Sequence, residues 1–142
     1  MIVRLMGETD IPVATALLGQ LGYEMAEAET ARRLAIVQRA DNHRVWVAEF
    51  EGASVGLLHA FFRPALEKPP EVIVQALVVE VASRARGIGE RLMSVAEQWA
   101  RQIGSPSISL YTGLQRAGAH RFYERLGYTK AGTAHLLRKP LD

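Results

Sequence analysis

The chain has 142 residues and a formal net charge of +2, so its length suits one domain with a single core. So weak a charge gives no support to a nucleic-acid-binding or membrane-surface protein. Because cysteine is absent, disulfides, thiolate metal sites and a cysteine nucleophile are excluded. Because the sequence has no long apolar run and no signal-peptide pattern, we expect a cytoplasmic protein. We expect one domain over residues 1–142, with no metal and no membrane or nucleic-acid partner.

The first half of the chain predicts a strand, two helices and a hairpin, because apolar residues recur first at helical and then at alternating spacing. Pro12 lies in the first turn of the first helix, where a missing N–H costs little, and Gly22 ends that helix. The predicted elements begin with the strand Ile2–Leu5. A first helix follows, capped at Thr9 or Asp10, and a second helix runs from about Glu27 to Arg39. The hairpin strands are Arg44–Glu51 and Val55–Phe62.

The second half predicts strands that alternate with helices, which is typical of a mixed α/β sheet. The run Glu71–Glu80 is apolar almost throughout, as in a strand covered on both faces. The later elements are a helix that begins at Ile88 and ends at Gly104, the strand Ser107–Thr112, the helix Arg116–Leu126 and a final strand Thr133–Arg138. The inner stripe predicted for the helix after Ile88 consists of Ile88, Leu92, Val95, Ala96, Trp99 and Ile103.

The junction between the strand Glu71–Glu80 and the following helix has the features of a phosphate-binding turn. It reads Arg84-x-x-Gly87-x-Gly89 and opens directly into the helix. The first turn of a helix has unpaired N–H groups and a partial positive charge, and glycine lets an anion approach the backbone. Arg84 and Arg86 add charge, so we interpret the turn as a pyrophosphate site. The alternative is a strand–helix turn that merely needs two glycines.

A second motif lies in Arg116–Tyr128, where Phe122-Tyr123-Glu124 precedes Gly127-Tyr128. This segment resembles the later helix of the GNAT superfamily of N-acetyltransferases, often written A-x-x-F-Y-E-x-x-G-F. The turn at Arg84–Gly89 is similar to the acyl-CoA pyrophosphate loop of the same family, and the close resemblance covers Val72–Tyr128. The resemblance implies an α/β (α+β) three-layer fold with a central mixed sheet of about six to seven strands and about four helices.

The resemblance also implies the co-substrate and the residues that bind it. Acetyl-CoA is expected to give its acetyl group to a primary amine of a small molecule or peptide, by direct transfer because a cysteine intermediate is excluded. Pantetheine is expected along the strand backbone, with one N–H on the thioester carbonyl. The implied acyl-CoA-binding residues are Leu77, Val78, Val79, Arg84, Ala85, Arg86, Gly87, Ile88, Gly89, Glu90, Arg116, Ala119 and Phe122.

Tyr123 is the residue that the resemblance implies as general acid toward the leaving CoA thiolate. The structural alternative is an aromatic residue that packs beside Phe122 and Tyr128. Many relatives carry asparagine where this chain has Arg116, so the local acyl-CoA contact differs there. Relatives often pair through their C-terminal strands, and a homodimer is therefore one implied assembly.

The general base stays open at the level of sequence. Some relatives carry an acidic residue at the position that aligns with Gln75, and glutamine cannot take up a proton. His59, Glu80 or a water molecule are the candidates, although Glu71 and Glu80 also read as solvated strand ends and His59 as a structural residue. The open base keeps a second function in view, a non-catalytic acyl-CoA-binding or sensor module of the same fold. The acceptor amine and the preferred acyl chain are not specified.

Overall fold

The computed structural model describes residues 1–113 and 117–142 and forms two units, Met1–Tyr111 and Thr112–Asp142. Arg116, one of the predicted acyl-CoA-binding residues, lies outside the described residues. The two units are described separately below, and the single-domain organisation stays a prediction.

The first unit contains a five-stranded sheet in the order β1-β2-β3-β4-β5. Strands β1 to β4 are antiparallel neighbours, whereas β5 runs parallel to β4, so the predicted mixed α/β sheet is confirmed. The strands are β1 (Ile2–Leu5), β2 (His43–Phe50), β3 (Ala53–Arg63), β4 (Glu71–Val79) and β5 (Ile108–Leu110), and the helices are α1 (Ile11–Leu21), α2 (Glu27–Arg39) and α3 (Ile88–Gln102).

Within the described residues the sheet has fewer strands than the six to seven predicted. The predicted strand Thr133–Arg138 is wrong, because residues 129–142 contain no strand or helix. Leu136 and Leu137 are 77% and 90% exposed. A strand forms only where a neighbour takes up its N–H and C=O groups, and no described strand is paired with this segment.

The core lies on both faces of the sheet. Under α1 and α2, Val47, Leu57 and Val78 come from three adjacent strands and pack with Leu17 and Leu34. On the other face, α3 buries a stripe of Ile88, Leu92, Met93, Ala96, Trp99 and Ala100. One predicted member of that stripe is wrong, since Ile103 is exposed, while Val95 is partly buried at its margin.

Gly56 on β3 lets α3 approach the sheet closely. A Cβ atom at this position would lie 3.0 Å from Leu92 Cδ1 and 3.1 Å from Ile88 Cγ2. Both of those side chains are fully buried and have little room to move. The first two turns of α3 are therefore fixed over β3 by the absence of a side chain.

The second unit contains α4 (Ala117–Arg125), close to the predicted helix Arg116–Leu126. The hydroxyl of Thr112 and Nε2 of His120 share a hydrogen bond of 2.8 Å. Gly127 ends the helical segment with a left-handed φ of 95°. Across the described residues, the structure contains no helix with both the length and the apolar character that crossing a membrane requires.

A buried carboxylate ties β1 to the start of α1. Asp10 is 4% exposed, and its two oxygens accept hydrogen bonds of 2.8 Å from the two terminal nitrogens of Arg4. The N–H of Gly7 also donates to Asp10, and Arg4 Nε donates to Glu49 on β2. The hydrogen bonds from Arg4 lower the pKa of Asp10, which stabilises its charged form.

We expect Asp10→Asn to lower the free energy of unfolding at pH 7 by about 1–3 kcal/mol, because Arg4 loses a charged, doubly hydrogen-bonded partner. Since the folded state lowers the pKa of Asp10, its contribution is present above the unfolded pKa of about 3.9 and disappears as the pH falls. Urea unfolding from pH 7 to pH 3 should show a constant difference between the two proteins above about pH 4 and a narrowing difference below it. Glu29→Gln, on the exposed face of α2, is the control with little effect. A difference that is constant with pH would contradict the assignment.

Candidate functional site

The turn that follows β4 is held in place by hydrogen bonds within the turn and to β3 and α1. The N–H of Glu80 donates to the carbonyl of Val55 at 2.7 Å, and the hydroxyl of Ser83 donates to the Glu80 carboxylate at 3.1 Å. The N–H of Val81 donates to Oε1 of Gln20 near the end of α1. The Glu80 side chain thus has a structural contact in the turn, and α1 is joined to the same turn.

The segment 84–89, between β4 and α3, contains two residues with positive φ. Ala85 and Gly87 both adopt left-handed conformations, with φ of 65° and 77°. Left-handed residues in such turns direct successive N–H groups toward one side. For a residue with a Cβ this conformation costs about 1–2 kcal/mol, so Ala85 stores backbone strain in the turn.

The N-terminus of α3 follows this segment directly. Gly87 is the N-cap and no side chain caps the helix. The N–H of Arg91 donates to the carbonyl of Gly87, so the N–H groups of Ile88, Gly89 and Glu90 precede the first intrahelical hydrogen bond. A Cβ at Gly87 would meet nothing within 4 Å, which leaves the mouth of the turn open.

Two arginines flank this opening. Arg84 Nε donates to the carbonyl of Val79 at 3.2 Å, which folds its side chain back over the end of β4. The guanidinium of Arg86 lies 5.5 Å from the ring centroid of Phe50, within cation–π range. Residues 84–87 are exposed, so both positive charges are accessible to an anionic group.

The outer edge of β4 is paired with another strand only at its start. Among the described residues, β5 pairs with β4 from Val72 to Val74 and no further. On the inner edge, the register with β3 passes from Val74 to Ala76 and leaves exposed Gln75 in a bulge. Leu77, Val78 and Val79 continue the pairing with β3 beyond the bulge.

Two histidines lie together on β2 and β3. Nδ1 of His43 and Nε2 of His59 are 2.9 Å apart and share a hydrogen bond. Burial, followed by the charge of His43, lowers the pKa of His59 to about 4, and burial also lowers the pKa of His43. Sequence analysis found His59 but missed His43. The signal was the hairpin register, which sets His43 diagonally beside His59 on the same face.

Tyr123, Ala119 and Phe122 lie on α4, in the second unit. The ring of Tyr123 makes edge contacts with Phe122, at a centroid distance of 5.0 Å, and with Tyr128, at 5.8 Å. The structural role that sequence analysis allowed for Tyr123 is therefore present, and its role as an acid stays a prediction. The predicted residues that the first unit brings together are Leu77, Val78, Val79, Arg84, Ala85, Arg86, Gly87, Ile88, Gly89 and Glu90.

Comparison with known proteins shows relatives with the same fold. An uncharacterised N-acetyltransferase of Bacillus subtilis is 29% identical over 126 residues, which cover 88% of this chain and 87% of the relative. The aminoalkylphosphonate N-acetyltransferase of Salmonella typhimurium is 43% identical over 58 residues, which cover 41% of this chain and 38% of the relative. This chain covers about two fifths of several other relatives, such as the N-acetyltransferase 8 of Mus musculus at 39%.

Solved structures agree on the fold. The aminoglycoside 6'-N-acetyltransferase of Acinetobacter haemolyticus superposes with a TM-score of 0.87 at 19% identity, covering 100% of both chains. A second aminoglycoside N-acetyltransferase, solved in complex with CoA, gives a TM-score of 0.88 at 19% identity and covers 99% of this chain and 95% of its own.

The acetyltransferase (GNAT) family model matches residues 13–128, which is most of the chain. Members of this family use acetyl-CoA to acetylate amines. The chain therefore belongs to the GNAT acetyltransferase family and is an N-acetyltransferase.

Proposed function

We propose that this chain binds acetyl-CoA at the 84–89 turn and transfers the acetyl group directly to a primary amine while both substrates are bound. The observation that supports this most strongly is the pair of left-handed residues, Ala85 and Gly87, immediately before an uncapped helix N-terminus. Backbone N–H groups, a helix dipole and two exposed arginines meet there, which is what a pyrophosphate requires.

The residues of the turn fit a pyrophosphate by shape as well as by charge. The N–H groups of Ile88, Gly89 and Glu90 would donate to its oxygens, and Arg84 and Arg86 would neutralise its charge. The open space at Gly87 allows the anion to reach the backbone. Acetyl-CoA, when bound, supplies the activated acetyl group, and these residues hold it in position.

The open edge of β4 fits the pantetheine arm. Leu77, Val78 and Val79 lie beyond the three residues that pair with β5, and Val79 touches Arg84 of the turn. Peptide groups along this edge would hydrogen-bond the pantetheine amides. One N–H would donate to the thioester carbonyl and stabilise the negative charge that develops on its oxygen as the amine attacks.

We propose Tyr123 as the group that protonates the departing CoA sulfur, on the basis of its position in the F-Y-E motif. Arg116, Ala119 and Phe122 belong to the same motif and are proposed to contact CoA near the thiol end. Without cysteine the chain cannot form an acyl-cysteine, which favours direct attack by the amine.

The primary test is calorimetric titration of acetyl-CoA into the purified chain, with NAD and free adenine nucleotides as controls. Selective binding would support the proposal and justify an assay of free-thiol release with an amine panel. The relatives suggest an aminoalkylphosphonate and an aminoglycoside for this amine panel. Spermidine and a lysine peptide are added as simpler amines. Binding without turnover on any amine would favour the non-catalytic acyl-CoA-binding module. No binding by the folded protein would contradict the proposal.

We expect Gly89→Trp to weaken acetyl-CoA binding more than about tenfold, or 1.4 kcal/mol, because the indole blocks the approach to the first turn of α3. Calorimetry measures the affinity, and circular dichroism checks the fold. Gly132→Trp is the matched control, because a Cβ at Gly132 meets nothing within 4 Å and the residue lies outside the turn. Unchanged affinity in Gly89→Trp would remove the pyrophosphate from this turn.

We expect Tyr123→Phe to lower kcat about 10²- to 10⁴-fold and to leave acetyl-CoA affinity nearly unchanged, because only the proton donor is lost. The measurement is thiol release at saturating acetyl-CoA, with the affinity taken from calorimetry. Tyr128→Phe is the matched control, since the family motif carries phenylalanine at that position and the ring contact with Tyr123 is preserved. A wild-type kcat in Tyr123→Phe would show that the residue only packs.

A further inference from the structure

The His43–His59 pair lies on the face of the sheet that α1 and α2 cover. His59 is directly opposite Val45 on β2 and Ala76 on β4, and residues directly opposite one another share a face. Val45 packs against the core cluster that includes Leu57. His59 therefore follows Leu57 along the same face, at the margin of that cluster.

The pair is held in a defined orientation. The ring of His43 stacks on Phe61, with centroids 5.0 Å apart and planes inclined by 11°. Its Nδ1 lies 2.9 Å from Nε2 of His59, so one proton occupies the space between the rings. When that proton is on His59, Nδ1 of His59 carries a lone pair. In the described part of the chain, no hydrogen bond links that nitrogen to another residue.

His59 is one strand away from the backbone on which the acetyl group is proposed to lie. Its partner Ala76 is the residue between the Gln75 bulge and Leu77. Residues directly opposite one another on adjacent antiparallel strands are about 4.5–5.5 Å apart at Cβ, so the His59 side chain lies beside the Ala76 position of β4. The bulge at Gln75 interrupts the β3–β4 ladder at this point, on the strand that is open to substrate.

The carboxylates of β4 and its turn have other partners. Glu80 accepts the hydroxyl of Ser83 and so helps to hold the turn. Glu71, at the opposite end of β4, accepts the hydroxyls of Ser107 and Ser109 at 2.7 and 2.9 Å. Gln75 cannot take up a proton. The amine nevertheless has to lose one proton for each amide formed.

We propose that His59 is the catalytic base, which accepts the proton released by the attacking amine and passes it through His43 to solvent; this inference rests on the proposed function. As the N–C bond forms and the C–S bond breaks, the amine proton moves to Nδ1 of His59. The proton on Nε2 of His59 moves to Nδ1 of His43, and His43 releases the proton of its Nε2 to water. The thiolate takes a proton from Tyr123, which water then replaces, and exchange with water restores the original tautomers.

Because burial lowers the pKa of both histidines, the pair is better suited to passing a proton on than to holding one. With a pKa of about 4, His59 is neutral at pH 7 and its lone pair is available. A positive charge on either ring is opposed by burial, so an imidazolium does not accumulate. His43 acts through His59 and is a positioning residue for the same step.

The test compares wild type with His59→Gln and His43→Gln by thiol release, using two kinds of nucleophile. One is the member of the amine panel that the wild type acetylates fastest. The other is hydroxylamine, whose nitrogen becomes much more acidic than that of an alkylamine as it attacks, so that water can take up the released proton without His59. We expect His59→Gln to lower kcat/KM for the panel amine about 100-fold or more, and to affect hydroxylamine far less. His43→Gln should show the same selectivity with a smaller loss.

Controls separate this inference from the proposed function. His135→Gln replaces an exposed histidine in residues 129–142 and should match wild type. Acetyl-CoA affinity and thermal unfolding must be unchanged in each variant, and His59→Asn replaces His59→Gln if the latter does not fold. Equal losses with both nucleophiles, or no loss, would overturn the role of His59. A wild type that binds no acetyl-CoA would instead overturn the proposed function and this inference with it.

Discussion

In the described part of the chain, β4 is hydrogen-bonded to β3 over almost its whole length but to β5 over only Val72–Val74. Because β5 is parallel to β4, the chain has to leave the sheet at Val79 and cross back through α3. That crossing places a turn and the start of a helix at the end of β4 where β5 is absent. An open strand edge and an uncapped helix N-terminus therefore occur side by side for one topological reason.

Gly56 sets the distance between the N-terminus of α3 and the sheet. Its missing side chain allows Ile88 and Leu92 to rest on β3, and Ile88 is the first residue of α3. The height of the helix terminus above the sheet is therefore set by packing, while its lateral position is set by the turn. The hydrogen bond from Val81 to Gln20 adds a link to α1 on the opposite face. The turn is held from both layers, as a site that must keep its geometry requires.

Local patterns predicted the elements well and the pairings less well. The two-residue turn at Glu51 and Gly52, with both φ positive, joins strands that alternation had already indicated. The bulge at Gln75 and the missing strand at residues 133–138 depend on which strand lies alongside, and no local residue pattern encodes that. The buried stripe of α3 differs from the predicted one because helical spacing defines the buried face but not how wide it is. In the structure the stripe also includes Met93 and Ala100. At the site, glycines and arginines identified the turn, whereas the left-handed alanine carried no signal.

The left-handed conformation of Ala85 means that the conformational free energy of shaping the proposed anion site is spent during folding. Since folding already holds the turn in this shape, a ligand does not have to order it, and affinity is not reduced by that conformational entropy. The cost falls instead on the stability of the folded chain. Selection for heat resistance alone would favour glycine or asparagine at this position, residues that adopt the conformation more readily. Glycine or asparagine at residue 85 would thus stabilise the folded chain while the backbone of the turn kept its shape.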